Sequence, residues 1–337
     1  MSLLFIDGMD HYSSAQIGSK WSSSGLTYST TGGRFGGGAL LSGTGNFLTQ
    51  AIKDITQSGT FIIGFAYKTS GFADKSVVRF YDGVSLQCEL CTNGLGRWII
   101  KCGGSQVGTA SVTVLTPGVW NFIEWKVTIT SSTGANQCVV RMNNVEILNL
   151  TGISTKTSAN TTANLLGFGD TSFSSATMTF DDLYICNNSG SVNNDFLGDC
   201  RIETLYPNGA GNYTDFGLNG AATNWQAVSE ARADDVTSYV ASDVPGDIDT
   251  YTFTNPAGTL ATVYGIQPVL RGRKDNAGAR TFANVLRIGG TDYTGVAFSL
   301  STDYLFYCEV IENNPDTVAP WTSSDIIALE SGVTVVS

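Results

Sequence analysis

The stretch from Val119 to Ile129 constrains the fold of this chain more than any other. Apolar side chains alternate with polar ones along it: Ile123, Trp125, Val127 and Ile129 interleave with Glu124, Lys126 and Thr128. Successive side chains of a β-strand point to opposite faces, so this pattern predicts a strand with one apolar and one polar face. A helix would need its apolar residues three or four positions apart.

A second run, from Cys138 to Leu148, has the same alternation and serves as the partner of the first. It contains Asn143-Asn144, a pair that tolerates positive φ and suits a tight turn. Residues 131–134 are polar and small, as expected of the connection between two antiparallel strands. Two half-buried strands of this kind fit best in a sandwich of two sheets.

Composition extends this prediction to the whole chain. The 337 residues include 39 glycines, 42% are hydrophobic and only 14% are charged. A hydrophobic content this high excludes a disordered chain, and abundant glycine favours many short strands joined by turns. The length suggests two domains.

Turn signals divide the first half into further strands. Asp82-Gly83 and Asn93-Gly94 each separate two apolar alternating runs, as hairpin turns do. A last strand is predicted from Met178 to Cys186, where the apolar phase changes at Asp181-Asp182. A phase change inside a strand predicts a β-bulge.

The polar, turn-forming residues 187–194 mark the best domain boundary. We therefore expect a first domain over residues 1–190, a linker over 191–198 and a second domain over 199–337. Strands are predicted there at Thr262–Arg273, Arg280–Ile288, Tyr293–Ser299 and Tyr304–Ile311, with Pro268 demoting the first to an edge or bulge. Trp321–Leu329 suits one helical turn, and the pattern of the second half predicts another, smaller β-sandwich.

Three segments of the first half resemble concanavalin A-like, laminin G-like jelly rolls. They are the central hairpin that begins at Trp120, the glycine-rich run Gly33–Leu40, and the closing strand Phe180–Ile185 with its Asp-Asp pair. The family usually has Asn-Gly where this chain has Asn143-Asn144. The resemblance covers roughly residues 1–190. It implies an all-β chain: a jelly-roll sandwich followed by a second, smaller β-sandwich.

The opening Phe5–Tyr12, read with Gly33–Leu40, is similar to the start of tailed-phage virion proteins that carry such a domain. This likeness implies a non-enzymatic virion structural protein, such as a capsid decoration, neck or tail-fibre subunit. Its partners would be other virion proteins and copies of itself, with a trimer as the first expectation, and a host cell-surface polysaccharide is a further candidate. The alternative is a free carbohydrate-binding lectin or a glycan-degrading hydrolase of the same fold.

Charge and the ends of the chain bear on partners and location. The net charge of −11 argues against nucleic acid, which requires a cationic surface. The N-terminus lacks the basic and apolar regions of a signal peptide, and no apolar run reaches the length of a membrane span. We therefore expect assembly in a host cytoplasm, a location in the virion and no membrane insertion.

Catalytic motifs are scarce in this sequence. His11 is the only histidine, and no G-x-S-x-G motif is present, so a serine-type triad is not expected. Related jelly rolls include glycosidases, whose active-site strand resembles the pattern E-x-D-x-x-E and brings two carboxylates onto one face. This chain has no such motif. The sequence therefore predicts that the protein is not an enzyme.

The candidates for metal binding are weak. Cys88-x-x-Cys91 lacks the two further ligands at short spacing that zinc needs, so reduced, buried cysteines are expected instead. Asp7, Asp181 and Asp182 form a candidate calcium set, since concanavalin A-like modules often hold that ion. Calcium takes six to eight oxygens, so two or three carboxylates do not identify a site, and solvated turns or edge-protecting charges are the favoured interpretation. No cofactor is expected, apart from this structural calcium.

Aromatic residues supply the candidates for ligand and partner contacts. Trp21 and Trp98 lie in polar neighbourhoods and are the first candidates to stack on sugar rings, although tryptophan is also common in cores. Trp225, Glu230 and Arg232 combine aromatic and charged groups, which favours a contact between subunits or proteins.

Overall fold

The computed structural model describes residues 2–42, 49–131, 134, 138–170, 176–258 and 260–337. It is almost entirely β: 48% of residues lie in strands and 4% in helices. The chain divides into two compact units, Met1–Ile202 and Glu203–Ser337, which we call unit 1 and unit 2. The predicted fold class, a jelly-roll sandwich followed by a smaller β domain, is confirmed.

The described part of unit 1 contains fifteen strands and one short helix. The strands are β1 Leu3–Asp7, β2 Ser23–Ser24, β3 Thr27–Ser29, β4 Ala39–Ser42, β5 Thr49–Ser58, β6 Thr60–Thr69, β7 Lys75–Asp82, β8 Ser85–Thr92, β9 Trp98–Cys102, β10 Ser105–Val107, β11 Asn121–Thr128, β12 Cys138–Met142, β13 Val145–Leu150, β14 Ala163–Asp170 and β15 Met178–Asn187; the helix is α1 Ile17–Lys20.

Unit 2 contains shorter elements. They are β16 Pro207–Thr214, β17 Gly217–Asn219, a 3₁₀ turn Trp225–Val228, β18 Tyr239–Ala241, β19 Ile248–Phe253, β20 Val269–Gly272, β21 Thr281–Ile288, β22 Thr291–Ser299, β23 Leu305–Cys308, β24 Asn313–Asn314, β25 Ala319–Pro320, α2 Ser323–Ala328 and β26 Glu330–Val335. Neither helix found in the described residues could cross a membrane.

Two antiparallel sheets form the sandwich of unit 1. The first has the order β13-β12-β11-β6-β15-β4-β3, with β1 added beside β15. The second has the order β10-β9-β8-β7-β14-β5-β2. The predicted central hairpin is present, with Trp125 opposite Val140. Its apolar face is buried against the second sheet, where Phe80 lies 5.3 Å from Trp125 between ring centroids.

Local backbone geometry follows the sequence at the predicted irregularities. Asn143 and Asn144 both have positive φ, 51° and 67°, and close the β12–β13 turn. The register of β15 shifts between Asp181 and Tyr184, and Asp182 has a φ of 50°. The predicted bulge at the Asp-Asp pair is therefore confirmed.

The core of unit 1 is aromatic, and it includes both tryptophans that were predicted to bind a ligand. Trp21 is 1% exposed and stacks on Phe168 with centroids 6.1 Å apart. Trp98 is fully buried and meets Tyr67 edge-on at 5.4 Å. Trp98 occupies an inward position of β9, and Trp21 follows α1 into the core. The prediction of a sugar platform at Trp21 and Trp98 is therefore wrong.

The segment predicted as a linker belongs to unit 1 and crosses the outer face of the first sheet. Phe196 lies under the guanidinium of Arg141, 4.0 Å from ring centroid to Cζ. The backbone N–H of Gly198 donates to Glu124 Oε1 at 2.8 Å. We call residues 195–202 the strap. It extends unit 1 beyond the predicted end at residue 190, because polar side chains of the sheet bind its backbone.

Unit 2 is built on a five-stranded sheet of order β16-β19-β26-β21-β22. A separate ribbon of β20 and β23 packs on it, since Tyr307 lies 5.0 Å from Phe282 between ring centroids. The predicted helical turn is present as α2. Thr322 is its N-cap residue and forms a capping box with Asp325. The strand predicted over Thr262–Arg273 is limited to β20, after Pro268.

Candidate functional site

Four charged side chains meet on the second sheet of unit 1. Arg79 lies at their centre: its Nε is 3.0 Å from Glu89 Oε2 and its Nη2 is 3.1 Å from Asp170 Oδ1. Lys75 Nζ lies 3.1 Å from the other oxygen of Asp170. We call Lys75, Arg79, Glu89 and Asp170 the ionic cluster. Each of these side chains is less than 10% exposed.

Strand pairing explains how the chain brings these residues together. Arg79 on β7 stands opposite Glu89 on β8 and opposite Gly167 on β14. Phe80, the next residue, stacks on Phe61 of the other sheet, so Arg79 points away from the core. Asp170 ends β14 and Lys75 begins β7, so the cluster runs from the middle of the sheet, at Arg79 and Glu89, to the ends of these two strands.

Neutral groups complete the hydrogen bonding of the cluster. Arg79 Nη1 donates to Gln50 Oε1 at 2.9 Å and to the carbonyl of Gly169 at 3.2 Å. Ser76 Oγ donates to Glu89 Oε2 at 2.5 Å. Glycine at position 167 leaves room for this arrangement, because a Cβ there would lie 3.0 Å from both Gln50 and Tyr81. Gln50 and Tyr81 are half-buried and form the more accessible rim.

The energetics of the cluster make it the strongest candidate for a functional site. Taking charges out of water costs several kcal/mol per ion, and hydrophobic residues of similar volume often stabilise a fold as well or better. Two buried cations and two buried anions on the outward side of a sheet are therefore poorly explained by stability. Burial also raises the pKa of Tyr81 at the rim. Convergent ionisable groups of this kind are typical of sites that act on a substrate.

Sequence reasoning missed this cluster for a clear reason. Its members lie on three strands, and Arg79 stands between apolar neighbours in an ordinary-looking strand. The expected signal was one strand with several carboxylates. The structure instead pairs Glu89 and Asp170 across Arg79 through tertiary contacts.

A second polar site lies near the closing strand. Asp10, Asp181 and Asp182 line a cavity of about 50 Å³ together with Phe35, Gly37, Arg201 and Ile202. We call it the acidic pocket. Asp10 Oδ1 accepts from the N–H of Gly38 at 2.6 Å, and Asp181 Oδ2 accepts from that of Arg34 at 2.7 Å. These carboxylates therefore hold the glycine-rich segment in place.

The two adjacent carboxyl groups of this pocket have raised pKa values. Burial raises the pKa of Asp181 to about 8, and the neighbouring Asp182 contributes. Burial likewise raises the pKa of Asp182 to about 6, against the N–H of Ile202, which donates to its Oδ1 at 2.8 Å. Asp182 Oδ2 is buried without a hydrogen bond, and the nearest cation is Arg34 at 3.7 Å.

The predicted calcium set of Asp7, Asp181 and Asp182 does not form. Asp7 is buried elsewhere, where its Oδ1 lies 3.0 Å from Lys20 Nζ and its Oδ2 accepts from Tyr12 Oη at 3.0 Å. Of the four oxygens of Asp181 and Asp182, three accept backbone N–H groups. Across the described ranges, no three His, Cys, Asp or Glu side chains are arranged to hold a metal ion. The residues present do not fit the predicted calcium site.

The predicted contact residues of unit 2 lie close together in the chain and are all half-buried. Trp225 begins the 3₁₀ turn, and Glu230 accepts a hydrogen bond from Ser238 Oγ. An interface at Trp225, Glu230 and Arg232 stays a prediction.

Comparisons with known proteins give a likeness of fold. No family model and no curated protein sequence matches the chain. Among solved structures, it is similar to the alginate lyase Aly36B, with 12% identity, a TM-score of 0.40 and coverage of 55% of this chain and 96% of the lyase. It is also similar to an endo-β-1,4-glucuronan lyase from the fungus Trichoderma reesei, with 11% identity, a TM-score of 0.37 and coverage of 54% of this chain and 94% of that lyase. A third similar structure is a sialidase, with 13% identity and a TM-score of 0.35. The match covers 48% of this chain and only 16% of the sialidase.

These findings correct two predictions made from the sequence. The three structures are those of two polysaccharide lyases and a sialidase, and none is a virion protein. The findings do not support the predictions that the protein is a virion structural protein and that it is not an enzyme. The alternative prediction, a free carbohydrate-binding lectin or a glycan-degrading hydrolase of concanavalin A-like fold, agrees better with them.

Proposed function

We propose that unit 1 is a glycan-cleaving enzyme and that the ionic cluster is its active site. One observation carries this proposal: Glu89 and Asp170 approach a single guanidinium, that of Arg79, from different strands. Glycoside hydrolysis in most families uses a pair of carboxyl groups on either side of the scissile bond. Glu89 and Asp170 form such a pair of carboxyl groups although they lie on two different strands.

Each member of the cluster has a role in this proposal. One carboxyl group donates a proton to the leaving oxygen, and the other acts as a nucleophile or activates water. Arg79, with its fixed fork of donors, keeps the two apart and orients them. Gln50 and Tyr81 at the half-buried rim supply hydrogen bonds and an aromatic ring to the sugar. Sugar hydroxyl groups would take the place of some of the ion-pair contacts on binding.

The test is a panel of neutral and uronate-containing polysaccharides incubated with the full chain. New reducing ends measure cleavage of any kind, and ultraviolet absorbance of unsaturated sugar ends separates elimination from hydrolysis. The deciding variants are Glu89→Gln and Asp170→Asn, which keep the shape of the cluster. Glu146→Gln is the matched control, since Glu146 is exposed on the other sheet and contacts Asn149.

We expect the wild type and the control to cleave at equal rates, and the two cluster variants to lose at least about a hundredfold in kcat, as general acid–base groups do. Cleavage that survives both substitutions would reject the ionic cluster as the site. Binding without cleavage of any polysaccharide would reject the enzyme and leave a lectin. Unsaturated ends would reject the hydrolytic roles of the two carboxyl groups.

A further inference from the structure

A groove of about 430 Å³ lies at the end of the unit 1 sandwich where β5 turns into β6. Its volume falls within the range of sites that bind small molecules, roughly 300–1,000 Å³. The polar residues that line it carry hydroxyl or amide groups: Thr60, Thr128, Thr130, Thr161 and Asn188. Gly59 and Ile129 complete the wall. We call these seven residues the threonine groove. They are distinct from the residues of the ionic cluster and the acidic pocket.

Strand pairing brings four separate segments of the chain to this groove. Thr60 begins β6 and stands opposite Thr128, which ends β11. Thr161 lies just before β14, and its carbonyl oxygen would be 3.1 Å from a Cβ at Gly59. Asn188 directly follows β15, the other neighbour of β6. The groove is therefore a product of the fold, built on the ends of paired strands.

The wall formed by residues 128–130 is held from behind by Thr155, which is fully buried. Thr155 Oγ1 donates to the carbonyl of Thr128 at 2.5 Å and accepts from the N–H of Thr130 at 2.9 Å. The N–H of Thr155 donates to the carbonyl of Thr130 at 2.9 Å. These bonds are made to the backbone, so they fix the wall and do not use the threonine hydroxyl groups. A site that is already ordered costs less conformational entropy on binding.

The hydrogen-bonding groups of the groove match those of a sugar. The hydroxyl groups of Thr60 and Thr128 lie 3.0 Å apart and share one hydrogen bond. Each hydroxyl group can donate once and accept twice, so this pair can still bind a ligand. Thr161 and Asn188 are exposed and add further donors and acceptors. Sugar hydroxyl groups also donate and accept, so the groove is complementary to a ligand that carries several of them.

The charge of the groove narrows the class of sugar. All seven lining residues are uncharged. A charged ligand gives up its hydration on binding and needs an opposite charge in return, whereas a hydroxyl group needs only a hydrogen bond. The threonine groove offers hydrogen bonds alone. It therefore favours an uncharged sugar over a uronate, a sialic acid or a phosphorylated ligand.

The groove lies beside the start of β14, and the ionic cluster extends to the end of the same strand. Strand β14 begins at Ala163, two residues after Thr161, and ends at Asp170. Seven residue steps along a strand span about 24 Å. Tyr81, at the rim of the ionic cluster, stands opposite Leu165 between these two ends. One polysaccharide chain is long enough to reach both sites.

We infer that the threonine groove binds an uncharged sugar unit of a polysaccharide, at a site separate from the ionic cluster. Thr161 and Asn188 contact the sugar from the exposed side, and the hydroxyl pair of Thr60 and Thr128 binds it from the buried side. The groove adds affinity for the polysaccharide and contributes no group to its cleavage. The inference concerns binding alone, so it holds or fails independently of the activity proposed for the ionic cluster.

The test is affinity electrophoresis of the full chain through gels that contain a neutral polysaccharide: laminarin, dextran or galactomannan. Alginate gels give the charged comparison. Thr161→Arg is the deciding variant, because Thr161 is exposed and a long side chain there blocks the groove without entering the core. Thr116→Arg is the matched control, since Thr116 is exposed in the loop before β11, at the opposite end of that strand from the groove. Asn188→Ala removes one amide group, and circular dichroism melting of each variant checks the fold.

We expect at least one neutral polysaccharide to retard the wild type and Thr116→Arg equally. Asn188→Ala should bind about three- to tenfold more weakly, as loss of one neutral hydrogen bond does. Thr161→Arg should lose at least about tenfold, because the arginine also occupies the groove. Glu89→Gln, in the ionic cluster, should keep the retardation, since the groove lies at the other end of β14.

A wild type that no neutral polysaccharide retards would overturn the inference, and so would a folded Thr161→Arg that is retarded like the wild type. Retardation by alginate alone would contradict an uncharged ligand. Retardation that Glu89→Gln loses and Thr161→Arg keeps would assign the binding to the ionic cluster instead of the groove. Retardation that Thr161→Arg loses, from a wild type that cleaves no polysaccharide, would support the groove and reject only the activity proposed for the ionic cluster.

Discussion

At the scale of single residues, unit 1 is defined by charges held away from water. Lys20 is the clearest case: its ammonium group lies 3.0 Å from Asp7 Oδ1 and 3.0 Å from His11 Nε2, and its side chain is fully buried. Trp21 Nε1 and Tyr12 Oη both donate to the other oxygen of Asp7. The ion pair is thus supported by further hydrogen bonds, which a buried pair requires if it is not to destabilise the fold.

Removing one member of this pair should therefore cost more than removing both. We expect Lys20→Met to lower the free energy of unfolding by about 3–5 kcal/mol, because Asp7 would remain charged and buried. The double variant Asp7→Asn with Lys20→Met should recover much of that loss. Urea unfolding of the three proteins measures the difference. A double variant less stable than Lys20→Met would show that the pair itself stabilises the fold.

In the acidic pocket, replacing a charged residue should stabilise the fold, whereas replacing Lys20 should destabilise it. The folded-state pKa values of Asp181 and Asp182, about 8 and about 6, lie above the ordinary value of 3.8. Above pH 4 the unfolded chain loses these protons first, so stability falls as pH rises from about 4 to about 8. Asp182→Asn keeps an acceptor for the N–H of Ile202 and removes one charge. It should raise stability at pH 8 by about 1–3 kcal/mol and by less at pH 5.

Thermal melting at the two pH values measures this effect. Asp195→Asn is the control, since the backbone N–H of Phe196 and the ammonium group of Lys126 lower the pKa of Asp195, and its replacement should not stabilise the fold. Destabilisation by Asp182→Asn at pH 8 would contradict the assignment. A rise in the melting temperature of the wild type with added calcium would show instead that a cation neutralises the pocket.

At the scale of elements, the alternation of apolar residues predicted the strands well. It could not predict which strands are neighbours or which side chains enter the core. The central hairpin and the turn at Asn143-Asn144 follow from local pattern alone. The burial of Trp21 and Trp98 does not follow from it, because residues with polar neighbours in the sequence can have apolar neighbours in the fold. The ionic cluster depends on the register of β7, β8 and β14, which a single sequence does not reveal.

Strand β9 offers a direct check on the corrected role of Trp98. Its indole is fully buried and contacts Tyr67, so Trp98→Ala should lower the free energy of unfolding by about 3–5 kcal/mol. Leu95→Ala is a suitable control, since Leu95 is 68% exposed just before the same strand. Denaturant midpoints decide the point. A Trp98→Ala protein with unchanged stability and reduced glycan binding would restore the sugar platform.

At the scale of the whole molecule, the strap decides where unit 1 ends. The strap closes unit 1: Asp199 accepts both ends of the Arg34 guanidinium at 2.6 and 2.7 Å, and Leu197 N–H donates to Tyr184 Oη at 3.2 Å. Sequence composition placed the boundary at the polar run before these contacts. Only the tertiary partners of the strap, Glu124 and Tyr184 on the first sheet, show that unit 1 continues to residue 202.

The strap therefore predicts where unit 1 can be cut. A chain ending at residue 202 should fold with cooperative unfolding, because every contact of the strap is kept. A chain ending at residue 190 should be less stable by about 2–4 kcal/mol, since it leaves the buried carboxylate of Glu124 without the Gly198 N–H and exposes the sheet under Phe196. Urea unfolding of the two truncated chains compares them directly. Equal stability would mean that the strap only lies on the sheet, and that the first unit is complete where its last strand ends.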